Sequence, residues 1–378
     1  MFVVGLNHPW IECGHDFGRR PPPWQGAGRT DWERVRADLD RWRTDAGITW
    51  SRWWLLAGGV NYPVGQSPDV AFERIHDRHG QQFQLRPDDR PLALTPEFLD
   101  DFEALLRVAS LSGIRLVPSL LSFEFFFPAE QHAEGNTRSE EVWSGGRKRL
   151  VVGRDDEPVE AAVDAFLDAT LSPLLEVSKR HPRAIGAWEV INEPDWVTEG
   201  GPLHARLRDG RIHAMPKTVS SRSMCVFLER AVDRIVSAGF LSSIGFKQGN
   251  PDWITPRLFR RLQALSRSDR YLHQLHYYPS LHEPAPLPHH KRLPFRPCVV
   301  GEMPTHRGGW LNPFFMRWLD DLDFARASDP NRYLERRLDI VRRRGYPGAW
   351  LWSGQAGDDA SAWGPAERAQ VRAFLSRG

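Results

Sequence analysis

Eight short apolar runs, most of them separated by a stretch of helical period, constrain this 378-residue chain more than any other feature. They read "FVVGL" (2–6), "ITWSRWWL" (48–55), "IRLVPSLL" (114–121), "AIGAWEVI" (184–191), "SSIGFKQ" (242–248), "YLHQLHYY" (271–278), "PCVVGE" (297–302) and "GAWLWS" (348–353). Helical period fills "DWERVRADLDRWRTDAG" after the first, "TPEFLDDFEALLRVASLSG" after the second, and about 158–180 after the third. It returns at about 329–344 and from Pro365. Thr95-Pro96-Glu97 supplies an N-cap, a first-turn proline and a first-turn acid. Eight strands with intervening helices predict a closed (β/α)8 TIM barrel, not an open doubly wound sheet. The sixth crossover, "PSLHEPAPLPHHKRLPFRP" (279–297), is too proline-rich for an ordinary helix, so the sixth helix is expected to be short or missing.

Long insertions follow strands, at about 8–29, 57–94, 122–157 and 194–219, which puts them at the C-terminal mouth where barrel loops build sites. With 41% hydrophobic residues, no internal repeat and no linker, the chain reads as one domain, 1–378. A formal charge of +2 leaves no strong field for nucleic acid or an anionic membrane, and the arginine runs read mainly as solvated helix faces. No stretch of about 18 apolar residues appears, so no membrane span is expected. Three scattered cysteines, Cys13, Cys225 and Cys298, form neither a disulfide framework nor a zinc ribbon. "MFVVGL" lacks the features of a secretory signal, and a cytoplasmic location is the expectation unless a leader was removed. Nothing in the sequence sets the oligomeric state.

The fourth run ends in a carboxylate: "AWEVINEPDW" (187–196) stops at Asn192-Glu193-Pro194. Strand alternation would put Ala187, Glu189, Ile191 and Glu193 on one face, with Glu193 at the mouth and Pro194 ending the ladder. Glu302 ends the seventh run in the same way. Two acids at one end of a closed sheet are positioned to face each other, and carboxyls about 5–5.5 Å apart suit retaining glycoside hydrolysis. Glu189, one layer deeper, needs a buried partner, and Arg52 is the candidate.

"AWEVINEPDW" together with "VVGE" resembles the clan A glycoside hydrolases, and most of all family five, the cellulase and β-mannanase family. The resemblance covers nearly the whole chain in strand order and rests on four or five specific motifs. It implies a retaining β-glycoside hydrolase that needs no cofactor and acts on a β-linked carbohydrate of glucan or mannan type. It further implies that Glu193 is the acid/base, Glu302 the nucleophile, and Asn192 the partner of the sugar 2-hydroxyl. By the same resemblance Arg52 orients the nucleophile, and His276 and Tyr278 of "HYY" shape the sugar site and steady Glu302. Trp352 of "LWSG" would floor the reacting subsite. Where many members have a histidine after strand three, this chain has "SLLSFEFFF", with Ser122 or Glu124 as replacements. Strand seven reads Gly-Glu-Met-Pro where mannanases commonly have Glu-Phe-Gly, so the resemblance reaches the family and not the sugar.

Other readings stand beside these. A transglycosylase on the same site, or a noncatalytic carbohydrate-binding barrel, would share most of the motifs. "NHPWIECGHD" (7–16) gathers His8, Glu12, Cys13, His15 and Asp16, but their spacing matches no zinc pattern, so no metal is expected and the loop reads as polar lining. Of sixteen tryptophans, Trp32 and Trp42 read as core. Trp10, Trp24, Trp143, Trp196, Trp253, Trp310 and Trp363 fall near the mouth, and Trp196 is the expected additional sugar platform. Glu193, as the proton donor, is expected to have a raised pKa from burial and the adjacent Glu302.

Overall fold

The structure is a computed structural model. It describes the chain apart from residues 1, 10, 12–15, 19–29, 57–72, 77–81, 86–93, 127–157, 203, 207–211, 216, 248, 279–286, 306–331 and 355–362. The eight runs are eight strands: β1 Val3–Asn7, β2 Trp50–Leu56, β3 Arg115–Ser122, β4 Trp188–Asn192, β5 Ser242–Phe246, β6 Tyr271–His276, β7 Cys298–Pro304 and β8 Gly348–Trp352. Each pairs in parallel with its neighbours in sequence, and β8 closes onto β1, so the expected TIM barrel is borne out.

Among the described residues the helices are α1 Trp32–Ala46, α2 Pro96–Ser112, α3 Val159–Ala169, α4 Leu171–Arg180, α5 Ser221–Ser237, α6 Pro256–Arg267, α7 Tyr333–Arg343 and α8 Pro365–Leu375. Thr95 caps α2 by accepting from the Phe98 N–H at 3.3 Å, and Thr255-Pro256 opens α6 in the same way. The stretch read as one helix over 158–180 is two. Pro173 offers no N–H to the Ala169 carbonyl and crowds it, so the chain breaks at Thr170 (φ −119°, ψ −65°). The Thr170 hydroxyl instead donates to the Phe166 carbonyl at 2.7 Å. Among the described residues the sixth crossover holds only a 3-10 turn, His290–Arg292. Two short antiparallel hairpins, Glu73–His76 with Gln82–Leu85 and His204–Arg206 with Ile212–Ala214, lie in the second and fourth insertions. No helix among the described residues is long and apolar enough to cross a membrane.

The helices bury their apolar faces against the outer faces of the strands, with Phe102, Leu105 and Leu106 of α2 fully enclosed. Inside the barrel, the floor is a separate apolar layer of Val117, Ala187, Leu272, Val299 and Trp350, with Trp50 and Leu241 packed on it. Trp50 and Trp350 stack at 6.0 Å. This plug makes the barrel a packed core open only above it. Gly5 leaves room for Trp350, because a Cβ there would sit 2.1 Å from the indole Cδ1. Gly5→Ala is therefore expected to cost about 1–3 kcal/mol by overpacking. Urea denaturation measures this, and unchanged stability would contradict the close approach.

Candidate active site

Above the apolar floor the barrel turns polar, and Arg52 of β2 is its centre. Its Nε and Nη2 donate to the two oxygens of Glu189 on β4 at 2.7 and 2.6 Å. Nη1 donates to Asn7 Oδ1 at 2.9 Å and to Glu302 Oε1 at 2.5 Å, and Nη2 also reaches Asn192 Oδ1 at 2.8 Å. Glu189 accepts two further bonds, from Ser119 Oγ and Gln274 Nε2, each at 2.6 Å. Asn7 in turn donates to the Gly301 and Leu351 carbonyls, tying β1 to β7 and β8. Burial alone would lower the Arg52 pKa, but the two carboxylates outweigh it and raise it. The expected Glu189 partnership and the expected contact with Glu302 are made by the same guanidinium.

Simple alternation does not bring the upper residues together. Glu189 and Asn192 both face Arg52 although they are three positions apart. The β4–β5 register shifts between them, and Ile191 packs into the outer core. The expectation that Ala187, Glu189, Ile191 and Glu193 share a face is thus corrected by a bulge, which re-aims side chains at a sheet end. Glu193 lies beyond the strand, in the left-handed region (φ 46°, ψ 53°), followed by a 3-10 turn, Pro194–Trp196. A shift between Leu275 and His276 likewise pairs His276 with Glu302. Gly245 of β5 makes space beside them: a Cβ there would lie 3.1 Å from His276 Nε2 and 3.2 Å from both Arg52 Nη2 and Glu189 Oε1.

The result is a pair of facing carboxylates. One donor atom each from Glu193, His276 and Glu302 lie within 4.8 Å of one another. Glu302 is 4% exposed, its Oε2 accepting from the Tyr278 hydroxyl at 2.7 Å opposite the Arg52 bond. His276 Nδ1 lies 3.0 Å from Glu193 Oε1 and 3.5 Å from Glu302 Oε1, so His276 bridges the acids. Asn192 Nδ2 donates to Ser122 Oγ at 3.3 Å, which puts Ser122 in the network. Trp352 is half-buried at the mouth beside Trp54, with ring centres 5.2 Å apart. Glu193, His276 and Glu302 offer atoms that could hold a cation, but hydrogen bonds from Arg52, Tyr278, Trp196 and His276 itself already engage all four carboxylate oxygens.

Two expectations change. Trp196, read as an open sugar platform, is 6% exposed and gives its indole N–H to Glu193 Oε2 at 2.8 Å, while Lys247 Nζ sits 5.0 Å from its ring centre. Glu193, expected to have a raised pKa, is lowered to about 2. Burial raises it, but the hydrogen bond and charge of His276, the charge of Lys247 and the Trp196 N–H together outweigh burial. Lys247 and Trp54 were missed. Counting inward positions from Ser243 and Gly245 reaches 247, and from Arg52 reaches 54, so alternation held the signal.

The polar loop after β1 is partly seen. His8 is buried between Trp42 and Trp53, and Asp16 accepts from the Ile11 N–H and Trp53 Nε1. Glu12, Cys13, His15, Trp10, Trp24, Trp143 and Trp310 lie outside the described residues, as does the side chain of Glu124. Trp253 is buried, donating to Asp195, and Trp32 donates to Asp101.

No family model and no curated protein matches the sequence. Solved structures do match in fold. A β-mannanase from the blue mussel Mytilus edulis aligns with TM-score 0.59 at 16% identity, over 99% of this chain and 92% of its own. An endo-1,4-β-mannanase from Eisenia fetida gives 0.61 at 16%, over 99% and 90%. A variant of GH5_18 from Streptomyces cattleya, in complex with Manb1-4GlcNAc, gives 0.54 at 15%, over 100% and 81%. The barrel is thus similar in fold to family-five glycoside hydrolases along almost its full length.

Removing the central cation would leave Glu189 buried without its bidentate partner. Arg52→Met is expected to lose about 3–5 kcal/mol in denaturant unfolding, and adding Glu189→Gln to recover much of that loss. A fully additive double variant would show that the two side chains do not form the pair described.

Proposed function

We propose that the chain is a retaining β-glycoside hydrolase acting by double displacement on a β-linked carbohydrate of mannan or glucan type. The observation that carries this reading is the approach of one Glu193 oxygen and one Glu302 oxygen to within 4.8 Å at the mouth of the barrel. So close an approach supports a nucleophile-and-acid/base pair, since inverting enzymes hold their carboxyls about 6.5–9.5 Å apart to admit a water. Their unequal surroundings support unequal roles. Glu302 is fixed on both oxygens by Arg52 and Tyr278, as suits a group that attacks an anomeric carbon along one line. Glu193 is held from the other side by His276 and Trp196.

In the first step Glu302 attacks the anomeric carbon while Glu193 gives its proton to the departing oxygen. In the second, Glu193 takes a proton from water, which attacks the same carbon and releases Glu302. Asn192, held by Arg52 and Ser122 and preceding Glu193 in the chain, serves as a partner for a sugar hydroxyl. Trp352, half-buried at the mouth, offers aromatic surface to the apolar face of the ring, with the buried Trp54 packed behind it. The solved barrels of similar fold described as β-mannanases, and the one holding Manb1-4GlcNAc, favour mannose as the sugar.

The test is a panel of β-mannans, β-glucans and their aryl oligosides with wild type, Glu302→Ala and Glu193→Ala, the product anomer being read by NMR. Wild-type turnover with retained configuration, and a loss in Glu302→Ala of at least about 10³-fold, are the expected outcome. An inverted anomer would sink the mechanism, and equal signals from wild type and Glu302→Ala would reduce the site to sugar binding. Product analysis with added sugar acceptors separates hydrolysis from transglycosylation.

The lowered Glu193 pKa has a kinetic consequence. The free enzyme carries the acid proton only toward low pH, whereas a bound sugar excludes water and favours the protonated acid beside Glu302. Since kcat/KM follows the free enzyme and kcat the complex, the alkaline limb of kcat/KM is expected at lower pH than that of kcat. Coincident limbs would show that sugar leaves Glu193 unchanged.

A further inference from the structure

Glu193 stands on strained backbone, in a left-handed conformation that residues other than glycine hold only when their surroundings over-determine it. On the strand side its N–H donates to the Gly245 carbonyl at 2.6 Å. On the other side lies a turn of three residues. Trp196 N–H bonds back to Glu193 and Val197 N–H to Pro194, so the carbonyls of Asp195 and Trp196 find no N–H within the turn.

Lys217, at the return of the fourth insertion, meets both of them, its Nζ donating at 3.0 Å to Asp195 O and 2.9 Å to Trp196 O. Its own position is set by backbone pairing, the Thr218 and Val219 N–H groups donating to the Val197 carbonyl at 3.0 and 3.1 Å. The Asp195 side chain grips from the opposite direction. It is fully buried, with Oδ2 accepting from the Lys247 N–H at the end of β5 and Oδ1 from Trp253 Nε1. Trp196, whose indole holds Glu193 Oε2, belongs to the same turn, so any slip of the turn moves the acid and its partner together.

We propose that Lys217 and Asp195 form a clamp that aims the Glu193 carboxyl, making both of them positioning residues for proton transfer to the leaving group. This rests on the reading of Glu193 as the acid/base. Burial is a cost that both members bear: it lowers Lys217 to about 8, against the pull of Asp195, and lifts Asp195 to about 6 despite its N–H donors. A lysine that only decorated a loop would stay in water and would not spend its donors on two main-chain carbonyls.

A purely structural role would weaken turnover of every substrate alike, whereas misaiming the acid harms only substrates whose leaving group needs a proton. The experiment compares kcat/KM for phenyl and 2,4-dinitrophenyl β-mannobiosides or β-cellobiosides, whichever pair the wild type hydrolyses. Lys217→Met is expected to lose about 10- to 100-fold on the phenyl substrate and almost nothing on the dinitrophenyl one, with Lys217→Arg regaining most of the loss. Asp195→Asn, which keeps only one acceptor oxygen, is expected to show the same selectivity to a smaller degree, and it decides the matter if Lys217→Met fails to melt cooperatively. Equal losses on both substrates, or none, would overturn the clamp. Glu193→Ala is the reference: leaving-group selectivity there with none in the clamp variants sinks the clamp alone, and its absence there sinks the acid/base reading itself.

Discussion

A guanidinium enclosed in the middle of a barrel is tolerable only if almost every donor it carries is met, because a charge withdrawn from water costs several kcal/mol even after the protein relaxes around it. Arg52 meets this condition through four side chains from β1, β4 and β7, which only a closed ring of strands brings to one point. Lysine would not serve, since its single ammonium has no planar fork to span Glu189 while also reaching Asn7 and Glu302. The fork also explains the order of the layers. Glu189 takes the bidentate face and settles the cation in depth, which leaves Nη1 directed upward at Glu302. Barrel closure, the charge balance of the core and the aim of one mouth carboxylate are therefore one arrangement, and a change to any of them is felt by the others.

The remaining geometry comes from departures from regular structure. A regular strand shows every second residue to the barrel axis, and on that rule Asn192 would point out if Glu189 points in. The shifted register between β4 and β5 removes the conflict, and the left-handed turn at Glu193 then swings the acid back over the axis. On the far side, the shift beside His276 sets it opposite Glu302 and lets a single ring lie near both acids. Strain and irregularity thus gather at the rim, above a regular apolar floor that contributes stability without taking part in the site.

These two regimes divide what the sequence discloses. The strands were legible because burial on both faces writes a nearly continuous apolar run, and the caps of α2 were legible because Thr95 and Pro96 act over a few bonds. Glu193, Glu302 and Arg52 were legible because residue type and strand order together carry information, and Tyr278 through the resemblance of its motif. Orientation was not. The interruption at Thr170 follows from one proline, yet the apolar periodicity on both sides continues across it and hides the break. Trp196 was misjudged because an indole has two uses, a face for stacking and an N–H for donation, and chain position does not say which is taken. Lys217 was invisible for a deeper reason: its partners are main-chain carbonyls, which have no residue identity to read.

The lowered Glu193 pKa shows why a site can be well ordered before its substrate arrives and still be unready for chemistry. His276, Lys247 and Trp196 all favour the carboxylate, and they fix its position by doing so. An acid held in place by donors is held in its ionised form, so the contacts that give precision oppose the protonation that the first step of the proposed mechanism needs. A sugar resolves this if its leaving oxygen takes up the direction of one of those donors and its ring excludes the water that screens Glu193 from Glu302. Part of the binding free energy then goes into loading the acid with a proton. A ligand that fills only the aromatic side of the cleft, beside Trp352, leaves the donors to Glu193 undisturbed. It would bind without raising the proton occupancy of the acid, so on the proposed reading the site would distinguish a sugar that spans both carboxylates from one that merely stacks.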